Sequence, residues 1–559
     1  MTAAEKNGGS KLLARIVKRP MLALSSRQFL LIVAALYTAL FNLPFLLHGY
    51  AAAFETPNTS ITFLVALPLL LFGILYLTFS ATLWSRLAKP LIGIVSIASL
   101  PVLYGELTYG VVFDNDMMRN IFETDLSEAL GYLSVSSIGF LLAGSAATIT
   151  ALMSIEIRHQ PIKQELIGRA ASTSLVLFLG LILTYGCYGE FAATARNNNH
   201  LKRELVPFEW IDSAADYWAD RWIDSQQALV VIDPAPKQSG HPGSLPHITV
   251  VIVGETARAD HFQYSGYPRA TNQFTEKFEP IYIANMSSCG TATAISVPCM
   301  FSDLNRNKFA IDTAKYRQNA LDLSALAGTE VVWIDNNSSC KGVCTRVEHR
   351  RIDINRSTPE CDGSYCLDEV LIEELRAEIQ SQSGEEKIVV LHEIGSHGPT
   401  YYRRYQRTDA LFTPECLRSD IQNCSNEALV NTYDNTIAHS DRLHADIMAL
   451  LAEKKDALSS TVIYVSDHGE SLGEGGLYLH GMPYMVAPES QTKVPMWVWE
   501  SRDERTWRDC VERNRDQMQP SHDIVFHSLL GAAHIETTAM NHELNLFQGC
   551  EMPDSISSI

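Results

Sequence analysis

Long apolar runs fill the first third of the chain and short β-branched runs punctuate the rest. The two patterns predict different architectures. Five apolar runs cover roughly 29–47, 61–83, 91–113, 132–153 and 171–188, each near the ~20 residues that cross a bilayer as a helix. Five in succession predict a five-helix transmembrane domain over residues 1–190. From 247 onward the period changes. Continuous apolar runs at 248–253, 281–283, 331–334, 388–391, 462–465 and 494–499 read as strands buried on both faces. Helical patterns, such as 367–379 and 427–451, separate them. Alternation of this kind predicts an α/β domain over 247–559 with a mostly parallel sheet covered by helices on both faces. Residues 191–246 read as a linker with a short amphipathic part carrying Trp210, Trp218 and Trp222, where indoles suit a membrane surface. The Pro/Gly/Ser-rich stretch 234–246 follows. No internal repeat is visible.

Charge orients the runs. The N-terminal tail carries Lys6, Lys11, Arg15, Lys18, Arg19 and Arg27. Arg86 and Lys89 lie in the second connection, and Arg158, Lys163 and Arg169 in the fourth. The first connection has neither Lys nor Arg, and the third sets Arg119 against five carboxylates. The positive-inside rule then puts the N-terminus in the cytoplasm, and five crossings export residues 190–559. Ala51-Ala52-Ala53 after the first run allows a signal-peptide cleavage site, but the run is longer than a typical signal core and reads as an uncut anchor. The first 200 residues hold 13 basic and 11 acidic side chains, leaving 31 and 52 for the remainder of this −19 chain. An exported half that acidic has no footprint for nucleic acid, nor is it drawn by charge to an anionic membrane.

Cysteines support export. Of 11, only Cys187 precedes residue 289. The others are Cys289, Cys299, Cys340, Cys344, Cys361, Cys366, Cys416, Cys424, Cys510 and Cys550. Ten cysteines, mostly in close sequence pairs, suggest disulfides in an oxidising compartment; the spacings are not those of zinc fingers.

Candidate chemistry gathers beyond the strand ends, where sites of such sheets lie. The first strand runs into Gly254-Glu255-Thr256. The 388–391 strand leads to His392 and Gly395-Ser396-His397-Gly398. The 462–465 strand ends in Asp467-His468-Gly469-Glu470, with His480 beyond. Carboxylates with imidazole fit a divalent metal, and imidazole favours zinc over magnesium. A strand-end Asp alone can simply cap a helix, but four such elements argue for a site. The segment CGTATAISVPC, residues 289–299, would hold a threonine hydroxyl in a fixed pose if its cysteines are bridged. By itself it fits a structural disulfide with turn threonines equally well. In the third connection, Asn120, Thr124 and Glu128 recur at i, i+4 and i+8, predicting an external amphipathic helix near 115–131 with these residues on one face. On spacing alone a solvated face explains them.

The motifs VGETARADHF, CGTATAISVPCMFS, DNNSSCKGVC, HEIGSHGPTYY, YDNTIAHSD and SDHGESLGE…LHG resemble those of the lipid A phosphoethanolamine transferases. That family includes the mobile colistin-resistance enzymes and belongs to the alkaline phosphatase/sulfatase superfamily. The resemblance spans nearly the whole chain. It implies an alkaline phosphatase-like catalytic domain behind a five-helix anchor, in the Gram-negative inner membrane with the catalytic domain periplasmic. It implies a monomeric, zinc-dependent enzyme that transfers phosphoethanolamine from phosphatidylethanolamine to lipid A through a phosphothreonine, conferring polymyxin resistance. By motif, Thr293 rather than Thr291 is the nucleophile. Glu255, Thr293, Asp467 and His468 hold one tight zinc. His397 and His480 bind a second zinc or the phosphoryl group, either one serving as proton donor. Asn337, Ser338 and Lys341, with Asn120, Thr124 and Glu128, contact substrate. The resemblance also pairs cysteines 289–299, 340–344, 361–366, 416–424 and 510–550. Rival readings are a transferase acting on lipopolysaccharide core or another periplasmic glycan, one using a phosphoglycerol donor, a hydrolase on the same fold, or a non-catalytic membrane-anchored sensor or binding protein. Loss of a metal ligand would favour the last, and none is lost.

Overall fold

The β-branched runs of the second half hydrogen-bond into one seven-stranded sheet. This computed structural model describes residues 22–55, 60–124, 126–224, 228–239, 245–382, 384–502 and 505–550. The tail lysines and arginines before Leu22, Asp125, and part of the 234–246 stretch lie outside them. The described residues fall in two compact units, one within Met1–Asp114 and Val135–Ser213, the other within Asn115–Ser134 and Ala214–Ile559.

In the first unit, four helices are long and apolar enough to cross a membrane: Ile61–Thr82, Ala88–Tyr109, Val135–Ser154 and Ile162–Gly186. The last two turn large apolar side chains outward, among them Leu142, Leu175, Phe178 and Leu181. Such a surface suits a lipid solvent, in which only backbone satisfied within its own helix is tolerated. The first apolar run, expected as one helix over 29–47, instead forms Ser26–Leu36 and Leu43–Glu55, separated by a π-turn at Tyr37–Phe41 and bent by 64°. Pro44 cannot donate its backbone nitrogen. Asn42 fills the break, donating from Nδ2 to the carbonyls of Tyr37 and Val206. The apolar count is therefore four, or five if the bent pair is one span.

The sheet of the second unit contains β1 (His247–Gly254), β2 (Ile281–Ile283), β3 (Glu330–Asp335), β4 (Glu348–Arg351), β5 (Glu386–His392), β6 (Ser459–Ser466) and β7 (Met496–Glu500), in the order β2-β7-β6-β1-β5-β3-β4. Pairings from β6 through β4 are parallel, and β7 runs antiparallel to both neighbours. β1, β5 and β6 are buried along their whole length, which is why they read as unbroken apolar runs. The sequence EHRR of edge strand β4 carries no apolar signal and was not anticipated. Helices Val370–Ser381 and Asn426–Ala452 flank the sheet, starting or ending within a few residues of the expected spans. One core joins Val251, Trp333, Val390 and Ile463 of the sheet to Phe526 and Leu529 of helix Asp523–Ala532.

The expected single helix near 115–131 is two, Asn115–Glu123 and Leu126–Gly131. Thr124 lies at the break and donates its hydroxyl to the Asn120 carbonyl at 2.6 Å, a local bond that competes with helix continuation. Asn120, Thr124 and Glu128 therefore do not share one helix face.

Candidate metal centre

Strand direction brings Glu255, just past β1, beside Asp467 and His468, just past β6, because β1 and β6 are adjacent and parallel. Their ligand atoms lie within 4.8 Å of one another, and all three residues are buried. His468 Nδ1 faces the Gly469 carbonyl at 3.0 Å and so carries the proton. Its Nε2 lone pair then points at Glu255 Oε1, 3.4 Å away, and Asp467 Oδ2, 3.3 Å away. Neither oxygen accepts a hydrogen bond from the described residues. Three acceptors converging without a donor repel one another unless a cation lies between them. Electrostatics agree. Burial, and then the neighbouring Asp467, raises the Glu255 carboxyl above the usual range. Burial pushes Asp467 up to about 6 and His468 down to about 4. Gly469 is obligatory, since a Cβ there would sit 2.0 Å from the Ser490 carbonyl oxygen.

Thr293 opens the helix Thr293–Met300. Its Oγ1 donates to Glu255 Oε2 at 3.1 Å and lies 3.4 Å from His468 Nε2, so it is the fourth oxygen or nitrogen at the cluster. A helix N-terminus also directs backbone N–H groups at an anion. Thr291 is spent elsewhere, donating to the Met482 carbonyl at 2.6 Å. The loop is held by the Cys289–Cys299 disulfide and by His522. Cys289 N donates to His522 Nδ1 at 3.0 Å, which leaves His522 Nε2 to donate to the Ser466 carbonyl at the end of β6. That ring must stay neutral, and burial pushes it down to about 3.

Asn337, beyond β3, donates from Nδ2 to Glu255 Oε2 and to the Glu393 carbonyl, each at 2.8 Å. It therefore orients a ligand of the cluster. Lys341 donates from Nζ to the carbonyl and hydroxyl of Ser338 at 3.1 and 3.0 Å, so these two act as one unit. His397 faces acceptors from both ring nitrogens, the Gly398 carbonyl at 2.6 Å and Glu128 Oε1 at 3.0 Å. Burial opposes charging of this ring, but Glu128 wins and raises it to about 9. Conversely, burial would raise Glu128, yet His397 holds it down at about 2. The His480 ring stands 4.4 Å from that of His468 and 5.5 Å from that of His397, and burial followed by His397 lowers it to about 4. Asn120 is buried, and the Thr124 hydroxyl is engaged locally.

The remaining four bridges are Cys340–Cys344, Cys361–Cys366, Cys416–Cys424 and Cys510–Cys550, and Cys187 is free. Sequence reasoning missed three residues that set the site. Asp335 ends β3 and accepts from His392 Nδ1 at 3.0 Å; its strand-end position was a legible signal. Asp368 and His522 come from segments with no strand-end cue.

A parallel sheet whose strand ends carry carboxylate and imidazole ligands around a helix-terminal hydroxyl defines the alkaline phosphatase/sulfatase class. Family models agree: Sulfatase matches residues 247–535, and Phosphoethanolamine transferase EptA/EptB matches residues 71–222. The chain belongs to the phosphoethanolamine transferase EptA/EptB family. It is 34% identical to phosphoethanolamine transferase EptA of Escherichia coli (strain K12), over 96% of this chain and 99% of that protein. It is 30% identical to phosphatidylethanolamine transferase Mcr-1 of Escherichia coli, over 82% and 89% of the two chains. Among solved structures, the integral membrane lipooligosaccharide phosphoethanolamine transferase A of Neisseria meningitidis superposes with a TM-score of 0.89 at 30% identity, covering 95% of this chain and 100% of that one. The fold is thus a membrane domain joined to an alkaline phosphatase-like domain.

Proposed function

We propose that this chain transfers phosphoethanolamine from phosphatidylethanolamine to a phosphate of lipid A, through a phosphothreonyl intermediate on Thr293. The observation that carries the reading is the Thr293 hydroxyl at a helix N-terminus, 3.1 Å from Glu255, in a buried cluster whose carboxylates and imidazole suit a cation. Membership of a transferase family selects transfer over a bare binding role. Glu255, Asp467 and His468, with Thr293, would hold zinc; when bound, it supplies Lewis acidity that makes a hydroxyl a competent nucleophile.

The chain's own groups complete the chemistry. Thr293 Oγ1 gives its proton to Glu255 Oε2 and forms a bond to the donor phosphorus, while the phosphorus–oxygen bond to diacylglycerol breaks. The imidazolium of His397 supplies the proton that diacylglycerol takes up. An acceptor phosphate oxygen then attacks the same phosphorus, His397 taking the proton that oxygen carries, while the Thr293 bond breaks and Thr293 Oγ1 regains its proton from Glu255. One charge-stabilising site serves both displacements. The Ser338–Lys341 unit and Glu128 contact the donor headgroup, the carboxylate suiting the ethanolamine ammonium. Adding that ammonium lowers the negative charge of lipid A, which weakens capture of cationic polymyxins.

The same reading makes residues 1–190 a five-span anchor with a cytoplasmic N-terminus, residues 191–246 a linker, and residues 247–559 the periplasmic catalytic domain of a monomer. The test is mass spectrometry of lipid A from cells carrying the intact chain or Thr293→Ala. A phosphoethanolamine mass increment is expected only with the intact chain, together with an adduct on Thr293 in the purified protein. An increment on core sugar alone, or full activity in the variant, contradicts the assignment.

A further inference from the structure

Beside the metal cluster, on the far side of Asn337, lies a small recess of about 40 Å³ lined in part by Glu128, Asn337, Tyr365, Arg403 and Arg404. Its charge is not balanced from within. Glu128 is neutralised by His397 at 3.0 Å, and Arg403 pairs with Asp362 at 2.7 Å. Arg404 has no such partner. It is only 8% exposed, and its Nε donates to the His397 carbonyl at 2.9 Å. Among the described residues no carboxylate forms an ion pair with it, and its two terminal nitrogens are left to the solvent of the recess. Glu128 and Asp368 act on it only through space, and burial lowers its pKa. The Tyr365 ring lies 4.2 Å from the Arg403 guanidinium carbon and 5.7 Å from that of Arg404, a flat wall against which both forks are held. A guanidinium fork that no carboxylate pairs leaves its parallel donors facing the recess, and a phosphate monoester matches that fork geometrically.

We infer that Arg404, backed by Arg403 and Tyr365, forms an anion subsite that takes a phosphate of the acceptor. The inference rests on the transfer reading above and specifies its second half. At Arg404 itself the donor does not fit: its single phosphate must be at Thr293 to be attacked, and its ammonium, which the reading above gives to Glu128 in the same recess, is repelled by a guanidinium. An acceptor phosphate brings the missing negative charge. Asn337 lines the recess and also touches Glu255 at 2.8 Å, so an anion held there stands one side chain from the cluster. A local site of this kind also explains how a chain of net charge −19 captures an anionic acceptor.

The test separates the two half-reactions in the full-length chain, embedded in nanodiscs that contain phosphatidylethanolamine. Adduct formation on Thr293 is followed by intact mass, and its discharge is followed against the concentration of bis-phosphorylated lipid A. For Arg404→Gln, adduct formation should stay within about twofold of wild type, while the acceptor KM rises roughly 10- to 100-fold, as for loss of a charge-assisted contact. Arg404→Lys should fall between. Inorganic phosphate should compete with the acceptor for discharge of preformed wild-type adduct. An unchanged acceptor KM overturns the subsite. So does adduct formation that falls in step with discharge, because Arg404 would then only hold the His397 carbonyl. If Arg404→Gln does not fold, phosphate without effect on wild-type discharge overturns it instead. A wild-type chain that forms no adduct overturns the transfer reading as well.

Discussion

Asp368 is a carboxylate with two backbone donors and almost no water. It accepts from Ile394 N and Gly395 N at 2.9 Å each, and Asn336 Nδ2 donates to it at 2.7 Å. This grip matters because Gly395, at φ +46, lies against the Glu255 backbone, where a Cβ would come within 2.9 Å of the carbonyl oxygen. Asp368 thus presses the loop that carries His397 onto the strand end that carries Glu255. Burial, then Glu393, pushes its carboxyl up to about 7. A carboxyl that binds its proton more tightly folded than unfolded stabilises the fold fully below its unfolded value of about 4, and that contribution is lost as pH rises through about 7. The unfolding free energy of wild type should therefore fall with pH across this window, by at most about 4 kcal/mol. Asp368→Asn should lack that slope. Its absolute stability will also change, since an amide nitrogen would face a backbone N–H, so the slope is the readout. Equal slopes in denaturant melts of the two proteins would refute the account.

Among the elements, the cystine loop and the C-terminal bridge make a useful pair. Cys289–Cys299 closes a short loop, with a separation of 10, and Cys510–Cys550 a longer one, with a separation of 40. In the chain-entropy picture the shorter bridge contributes about 3 kcal/mol and the longer about 4. Stability alone would rank the C-terminal bridge first. Function should rank them the other way, because the short loop sets the helix that presents Thr293, whereas Cys510 and Cys550 lie against Asn514 and Gln548. The double variant Cys289→Ser/Cys299→Ser is expected to lose at least tenfold in turnover, with Cys510→Ser/Cys550→Ser near wild type despite its larger loss of stability. Parallel thermal melts and turnover assays in detergent check this, and equal turnover in the two double variants would remove the positioning role of the short bridge.

For the whole molecule, a cation held at this cluster would couple to the fold. Without a cation, Glu255 and Asp467 are buried side by side with raised pKa values, a repulsion that folding has to overcome. A cation present at 100 times its Kd adds about 2.7 kcal/mol, on the order of 5 °C in Tm for a domain of this size. Exhaustive chelation should lower the Tm by that order and abolish Thr293 adduct formation, and zinc should restore both where magnesium does not. A chelated chain with unchanged Tm and full adduct formation would exclude a metal role for the cluster.

The sequence by itself determined the two architectures and most of the cluster. Apolar runs long enough for a bilayer are legible because such a helix is apolar along its whole length, whether a side chain faces its neighbours or outward. The central strands are legible because both of their faces are buried, and Glu255, Asp467 and His468 because parallel strands end on one rim. The partition of the chain's first apolar run into two helices depended on Asn42 reaching Val206, 164 positions away in sequence. The break at Thr124 was a choice between two local hydrogen bonds that spacing does not encode. His522 and Asp368 carry no local pattern at all. Each acts through backbone atoms supplied by distant segments, so only the tertiary structure decided what they do.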